Sequence, residues 1–164
     1  MTPAPTPRAL ALALLLTAAA TACVRSSAAT PRPGTGAAAS ESAPIAGQWN
    51  AGLESVNGSG VGGSALFTHA ASSGGTSVTL MVTGAPPNGS HPWHIHSGRC
   101  GESGGSIVGQ PSAYTPVQIG ADGTGRAQVT LPFPIPSTGD FRVNVHRSAS
   151  DMGTIVACGN LSPM

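Results

Sequence analysis

The sequence contains no lysine; all seven of its basic residues are arginine, set against six acidic residues in a chain of 164. Charged residues make up only 8% of the chain, and the formal net charge is +1. That scarcity leaves no basic stripe to follow a nucleic-acid backbone and no acidic tail. Helical patterning is missing too, since no stretch places apolar residues at a sustained period of 3.6. There is no internal repeat, and no apolar run is long enough to cross a bilayer as a helix. What the chain has instead is glycine and proline, 23 and 15 residues respectively. Such a composition suits short strands joined by tight turns. The hydrophobic fraction of 40% is too high for disorder throughout.

The N-terminus reads as a targeting segment. Met1–Arg8 carries one positive charge, and Ala9–Thr17 is a short apolar run with the length of a signal-peptide core. Small residues, Ala18 to Ala22, then lead directly to Cys23. They resemble a bacterial lipobox, although Ala20 stands where leucine is usual. The expectation is a signal peptide over 1–22, lipidation at Cys23, a flexible Ala/Ser/Pro linker over 23–44, and a folded domain over 45–164. Plain cleavage after the Ala20-Thr21-Ala22 segment is the alternative. Setting Cys23 aside leaves Cys100 and Cys158, an even pair suited to an oxidising compartment. An exported protein of the bacterial cell envelope or periplasm, held to the membrane by an N-terminal lipid, follows as an expectation.

From Ile45 onward, apolar and polar residues alternate in short runs bounded by Gly, Asn, Ser or Pro. The pattern predicts eight strands: Gln48–Val56, Gly63–His69, Thr76–Thr83, Ser90–Ser97, Thr115–Ile119, Gly125–Leu131, Gly139–His146 and Thr154–Leu161. A Gly/Ser-rich loop separates the fourth from the fifth. Eight short strands without helices imply an all-β antiparallel sandwich or barrel.

The chemistry concentrates in two of these strands. In His91-Pro92-Trp93-His94-Ile95-His96, alternate side chains face opposite sides. Trp93 and Ile95 face the core. His94 and His96 then share the outer face, roughly 7 Å apart at Cα, where two imidazoles can reach one metal ion. In Asp140-Phe141-Arg142-Val143-Asn144-Val145-His146, the apolar side is Phe141, Val143 and Val145. Arg142, Asn144 and His146 form the polar side. If the two strands adjoin, three imidazoles converge outside the barrel. Imidazole suits copper and zinc, and carboxylates are not prominent nearby. An isolated His-x-His on a strand is more often an exposed polar pair; the third histidine, on a second strand of matching pattern, favours a site. His69 reads as a surface residue, Met152 as a loop residue and Tyr114 as lacking a catalytic setting. Trp49 and Trp93 read as core or barrel-edge residues.

These segments together resemble the Cu/Zn superoxide dismutase family. His91-Pro92-Trp93-His94-Ile95-His96 is similar to its H-G-F-H-V-H segment. Cys100 resembles the loop cysteine of its disulfide. Val143-Asn144-Val145-His146 resembles the strand carrying its late copper histidine, and Ala157-Cys158-Gly159 resembles its A-C-G segment. The resemblance implies an eight-stranded Greek-key barrel. It implies His94, His96 and His146 as ligands of one copper ion, with His91 supporting the site through hydrogen bonding. It also implies a Cys100–Cys158 disulfide. The departures are equally specific. No histidine lies between His96 and His146, so the family's bridging histidine and zinc site have no counterpart. Asp122 and Asp140, the only aspartates in that interval, sit in no zinc motif. The family's substrate-attracting arginine falls on Thr154 or Ile155; Arg99, Arg142 and Arg147 are the substitutes by proximity. The resemblance thus implies a copper-only dismutase of reduced activity, with superoxide as substrate. The alternatives are a non-catalytic envelope protein that binds or buffers copper, and a structural domain without metal. The chordin-type domain, which shares an H-I-H segment and a V-N-V-H strand, represents the last class; the two cysteines favour the dismutase family over it.

Overall fold

The computed structural model describes residues 47–164. The signal peptide, Cys23 and the linker of the sequence reading lie outside the described residues. Within them, strands form wherever apolar side chains recur at every second position. They are β1 (Gln48–Ser55), β2 (Gly62–Ala70), β3 (Gly75–Thr83), β4 (Ser90–His91) and β5 (Trp93–Ser97). There follow β6 (Val117–Gln118), β7 (Gly125–Leu131), β8 (Phe141–Ser148), β9 (Asp151–Asn160) and β10 (Ser162–Pro163). A single 3-10 turn, Pro111–Ala113, interrupts the long loop before β6.

Every ladder is antiparallel. The main sheet runs β5-β8-β9-β1-β2-β3-β7, with β10 added on β1, and β4 and β6 form a separate two-stranded ladder. The sheet is all-β, antiparallel and curled, as the alternation predicts. Its first and last long strands, β1 and β9, are neighbours. Inward-facing side chains meet in one core, in which Phe67, Leu80, Trp93, Ile95, Leu131, Val143 and Val145 are fully enclosed. The Trp93 indole N–H, which could not be buried unpaired, donates to the Thr115 carbonyl at 2.9 Å.

The strand expected over Gly139–His146 runs Phe141–Ser148, β10 has no expected counterpart, and three further differences from the sequence reading have local reasons. The strand expected over Ser90–Ser97 breaks at Pro92, which has no N–H for a ladder. The halves pair differently: His91 lies opposite Val117 on β6, whereas β5 pairs with β8. The Pro92 carbonyl still accepts the His146 N–H at 2.8 Å, so the break stays tied to β8. The strand expected over Thr115–Ile119 shrinks to Val117–Gln118: the Thr115 carbonyl accepts from the Trp93 indole, and Ile119 makes only an isolated bridge to Gly125. The last strand begins at Asp151, since a tight turn lets Ser148 pair with Asp151 and extends the β8–β9 hairpin.

Candidate metal centre

The pairing of β5 with β8 builds the site. Trp93 lies opposite Val145, His94 opposite Asn144, Ile95 opposite Val143 and His96 opposite Arg142. With Trp93, Ile95, Val143 and Val145 in the core, period-two alternation sends His94, His96, Arg142 and Asn144 to the other face. His146 joins them beside an irregularity in the β8–β9 register. The Nδ1 of His94 and the Nε2 of His146 stand 3.2 Å apart. Ligand atoms of all three histidines lie within 4.8 Å of one another, the one such cluster among the described residues. Ring centroids are separated by 5.9 Å for His94–His96, 5.2 Å for His94–His146 and 5.8 Å for His96–His146.

This outer face is not open to water, as the sequence reading left it. His94 and His146 are each 5% exposed, Arg142 3% and Asn144 2%. The Gly/Ser-rich loop folds against this face at Arg142 and His96, through the carbonyls of Arg99, Gly104 and Gly105. It doubles back along the free edge of β5, where Ser97 and Val108 donate to the carbonyls of Ser106 and Ile95 at 3.0 and 2.9 Å. The Cys100–Cys158 disulfide ties the same loop to β9.

Around the cluster sit groups that orient it. His91, on β4, places Nδ1 3.0 Å from the His146 carbonyl. The Nδ1 of His96 faces the Gly105 carbonyl at 3.2 Å, which leaves its buried Nε2 without a partner. Tyr114 is a participant that sequence reasoning missed. Its ring stands edge-on to His94 at 5.1 Å and to Trp93 at 5.0 Å, and its hydroxyl donates to the Val108 carbonyl at 2.6 Å. Nothing in its spacing from the histidines signals this, because a loop brings it back. Asn144 keeps a buried Oδ1 without a protein partner.

Burial governs the protonation of the cluster. His94 is lowered to about 4, first by desolvation and then by the positive charges that His146 and His96 would carry. His96 is lowered by burial and by the Arg142 charge, against the opposing pull of the Gly105 hydrogen bond. His146 is lowered by burial and by His96, with the Met152 backbone pulling the other way. At neutral pH all three imidazoles are therefore neutral, the form that binds metal. Burial pushes the Tyr114 phenol up to about 12, so it stays protonated.

The remaining sequence candidates are placed elsewhere. Asp140 pairs with Arg99 at 2.9 Å, and Asp122 caps the turn to Thr124. Arg147 pairs with Asp151 at 3.4 Å. The Arg142 guanidinium is taken up by the backbone carbonyls of Ser97, at the end of β5, and of the loop residues Arg99 and Gly104.

The donor set fits one transition-metal ion. Nitrogen ligands bind copper or zinc at roughly 2.0–2.1 Å, so two of them on one ion stand about 3 Å apart at open angles. The His94–His146 separation already matches that, and the unpaired buried Nε2 of His96 is a donor without another purpose.

No protein-family profile matches the chain, and no curated protein matches it. Among solved structures, the chain is similar to a SOD-like protein from Bacillus subtilis, crystallised as a double mutant in which a tyrosine and a proline are each replaced by histidine. The identity is 16%, the TM-score 0.50, and the match covers 68% of this chain and 95% of that one. The fold is thus a SOD-like antiparallel β-barrel, with a three-histidine cluster on its outer face, buried at His94 and His146 and half-buried at His96.

Proposed function

We propose that this protein is an exported copper-binding protein of superoxide dismutase type, holding one copper ion on His94, His96 and His146. The observation that carries the reading is the convergence of three neutral imidazoles, two of them buried and one half-buried, with the enclosed Nε2 of His96 unpaired. The targeting segment, the lipid on Cys23 and residence in the bacterial envelope belong to the same proposal, and the disulfide suits an oxidising compartment.

Bound copper would supply the one-electron cycling by which two superoxide ions and two protons become oxygen and hydrogen peroxide. The chain itself orients the ligands. The His91 bond to the His146 backbone holds the start of the β8–β9 hairpin, and Gly105 sets the His96 ring. Tyr114 walls His94 from water with a phenol that does not ionise. The chain offers no bridging histidine to pass a proton, and its nearby arginines are engaged with carboxylates and carbonyls. Weaker electrostatic attraction lowers the encounter rate by about tenfold or more. The activity we propose is therefore copper-only dismutation at reduced rate. The engagement of every nearby arginine favours envelope copper buffering as the second reading.

Copper titration of the purified protein tests the site. Saturation at one ion is expected, with tight binding lost in His146→Ala. Binding unchanged in that variant would remove His146 from the site, and no binding at all would leave a structural domain. Superoxide decay measured on the loaded protein separates enzyme from buffer. Decay no faster than free copper and metal-free controls would reject dismutation.

A further inference from the structure

Arg142 is a charged side chain that is 3% exposed and has no carboxylate within ion-pair distance. Burying a guanidinium is costly unless its donors are filled. Here they are filled by the backbone. Nη1 donates to the carbonyls of Ser97 at 2.9 Å and Arg99 at 3.1 Å, and Nη2 donates to the Gly104 carbonyl. The Ser97 carbonyl ends β5, and those of Arg99 and Gly104 belong to the loop that follows it and folds against His96. The next carbonyl along, Gly105, faces the Nδ1 of His96 at 3.2 Å. Arg142 itself lies directly opposite His96 in the β5–β8 ladder.

The glycines of this loop make the arrangement possible. Gly98 and Gly105 have φ of +86° and +91°, a region that L residues disfavour. A Cβ at Gly98 would come within 2.9 Å of Arg142 Nη1, and one at Gly105 within 3.0 Å of Nη2. The loop thus closes on the guanidinium fork from both sides. The planar fork matters, because a lysine ammonium cannot reach three carbonyls so spread.

We propose that Arg142 is the positioning residue for His96: its guanidinium gathers the loop carbonyls so that Gly105 accepts the Nδ1 proton and the bare Nε2 faces the metal position. Arg142 is therefore a clamp on the metal site rather than a free charge that attracts an anion. The proposal rests on the copper reading for its purpose, but its geometry can be tested without metal.

The test is the tautomer of His96, read by long-range proton–nitrogen correlation on the nitrogen-labelled, metal-free protein at neutral pH. The expected result is a single tautomer protonated at Nδ1. Arg142→Lys keeps the charge but not the fork, and is expected to mix the tautomers and raise the copper dissociation constant by about tenfold or more. Asp140→Asn, which breaks the exposed Arg99–Asp140 pair without touching a clamp residue, is expected to leave both readouts unchanged. A wild-type His96 protonated at Nε2 would overturn the proposal. So would an Arg142→Lys protein with unaltered tautomer and affinity, or an Asp140→Asn protein altered as strongly. If Arg142→Lys does not fold, the wild-type guanidinium decides: hindered rotation with resolved, slowly exchanging Nη protons supports the clamp, and free rotation rejects it. A wild-type protein that takes up no copper would defeat the copper reading, while the tautomer comparison would still decide whether Arg142 orients the ring.

Discussion

His94 has an imidazole on each side and an aromatic edge against its ring, and almost no water. That surrounding has a measurable consequence in the metal-free protein. His94, His96 and His146 all have folded-state pKa values below the ordinary 6.5 of an unfolded chain. As pH falls, the unfolded chain takes up protons first, so stability must fall with it. The contribution of these groups is complete above about 6.5 and is lost as pH drops towards about 4, the value to which burial pushes His94. Denaturation midpoints of chelator-treated protein at several pH values across that interval are expected to decline steadily; a flat profile would contradict the burial argument. The three histidines were legible in the sequence, since strand alternation alone puts each on the polar face. Tyr114 and Arg142 were not. A residue that reaches the site through a loop leaves no periodic trace, and a polar position on a strand looks the same whether water or a loop lies above it.

At the scale of elements, the cover matters as much as the strands. Hydrophobic alternation located most of the strands, because each needs only its own side chains to sort inward and outward. It could not show that Pro92 divides the metal strand into β4 and β5, which bond to different neighbours. Nor could it place the Gly/Ser-rich loop, which has few apolar side chains to mark a buried face. Backbone hydrogen bonds, the Arg142 fork and the disulfide hold that loop instead. The cysteines are 58 residues apart, and closing such a loop in the unfolded chain stabilises the fold by about 4 kcal/mol in the chain-entropy model. Cys100→Ser with Cys158→Ser is expected to lower unfolding free energy by about that amount in urea titrations. Reductant should mimic the variant and leave it unaffected. A double variant as stable as the parent would show that the other ties suffice.

On the scale of the whole molecule, the metal position of this small charge-poor barrel links its stability to the ligand around it. A ligand that binds only the folded state stabilises by mass action, about 2.7 kcal/mol when free ligand stands at a hundred times its dissociation constant. For a domain of this size that is a rise in Tm of about 10 °C. Copper added to the metal-free protein at that excess is expected to produce such a rise, and His146→Ala should show little of it. The pH dependence of the rise distinguishes the buried cluster from a chance group of surface histidines. Protons compete with copper for imidazole, and at pH 5.5 an ordinary imidazole, with a pKa near 6.5, is about nine-tenths protonated. Burial lowers the affinity of this cluster for protons, most strongly at His94. The copper-dependent rise should therefore be retained at pH 5.5 better than ordinary imidazoles would allow, and fade as the pH falls further. Thermal scans with and without copper at pH 7, 5.5 and 4 measure it directly. A rise already gone at pH 5.5 would mean that copper binds histidines with ordinary proton affinity, in a place other than the buried face of β5 and β8.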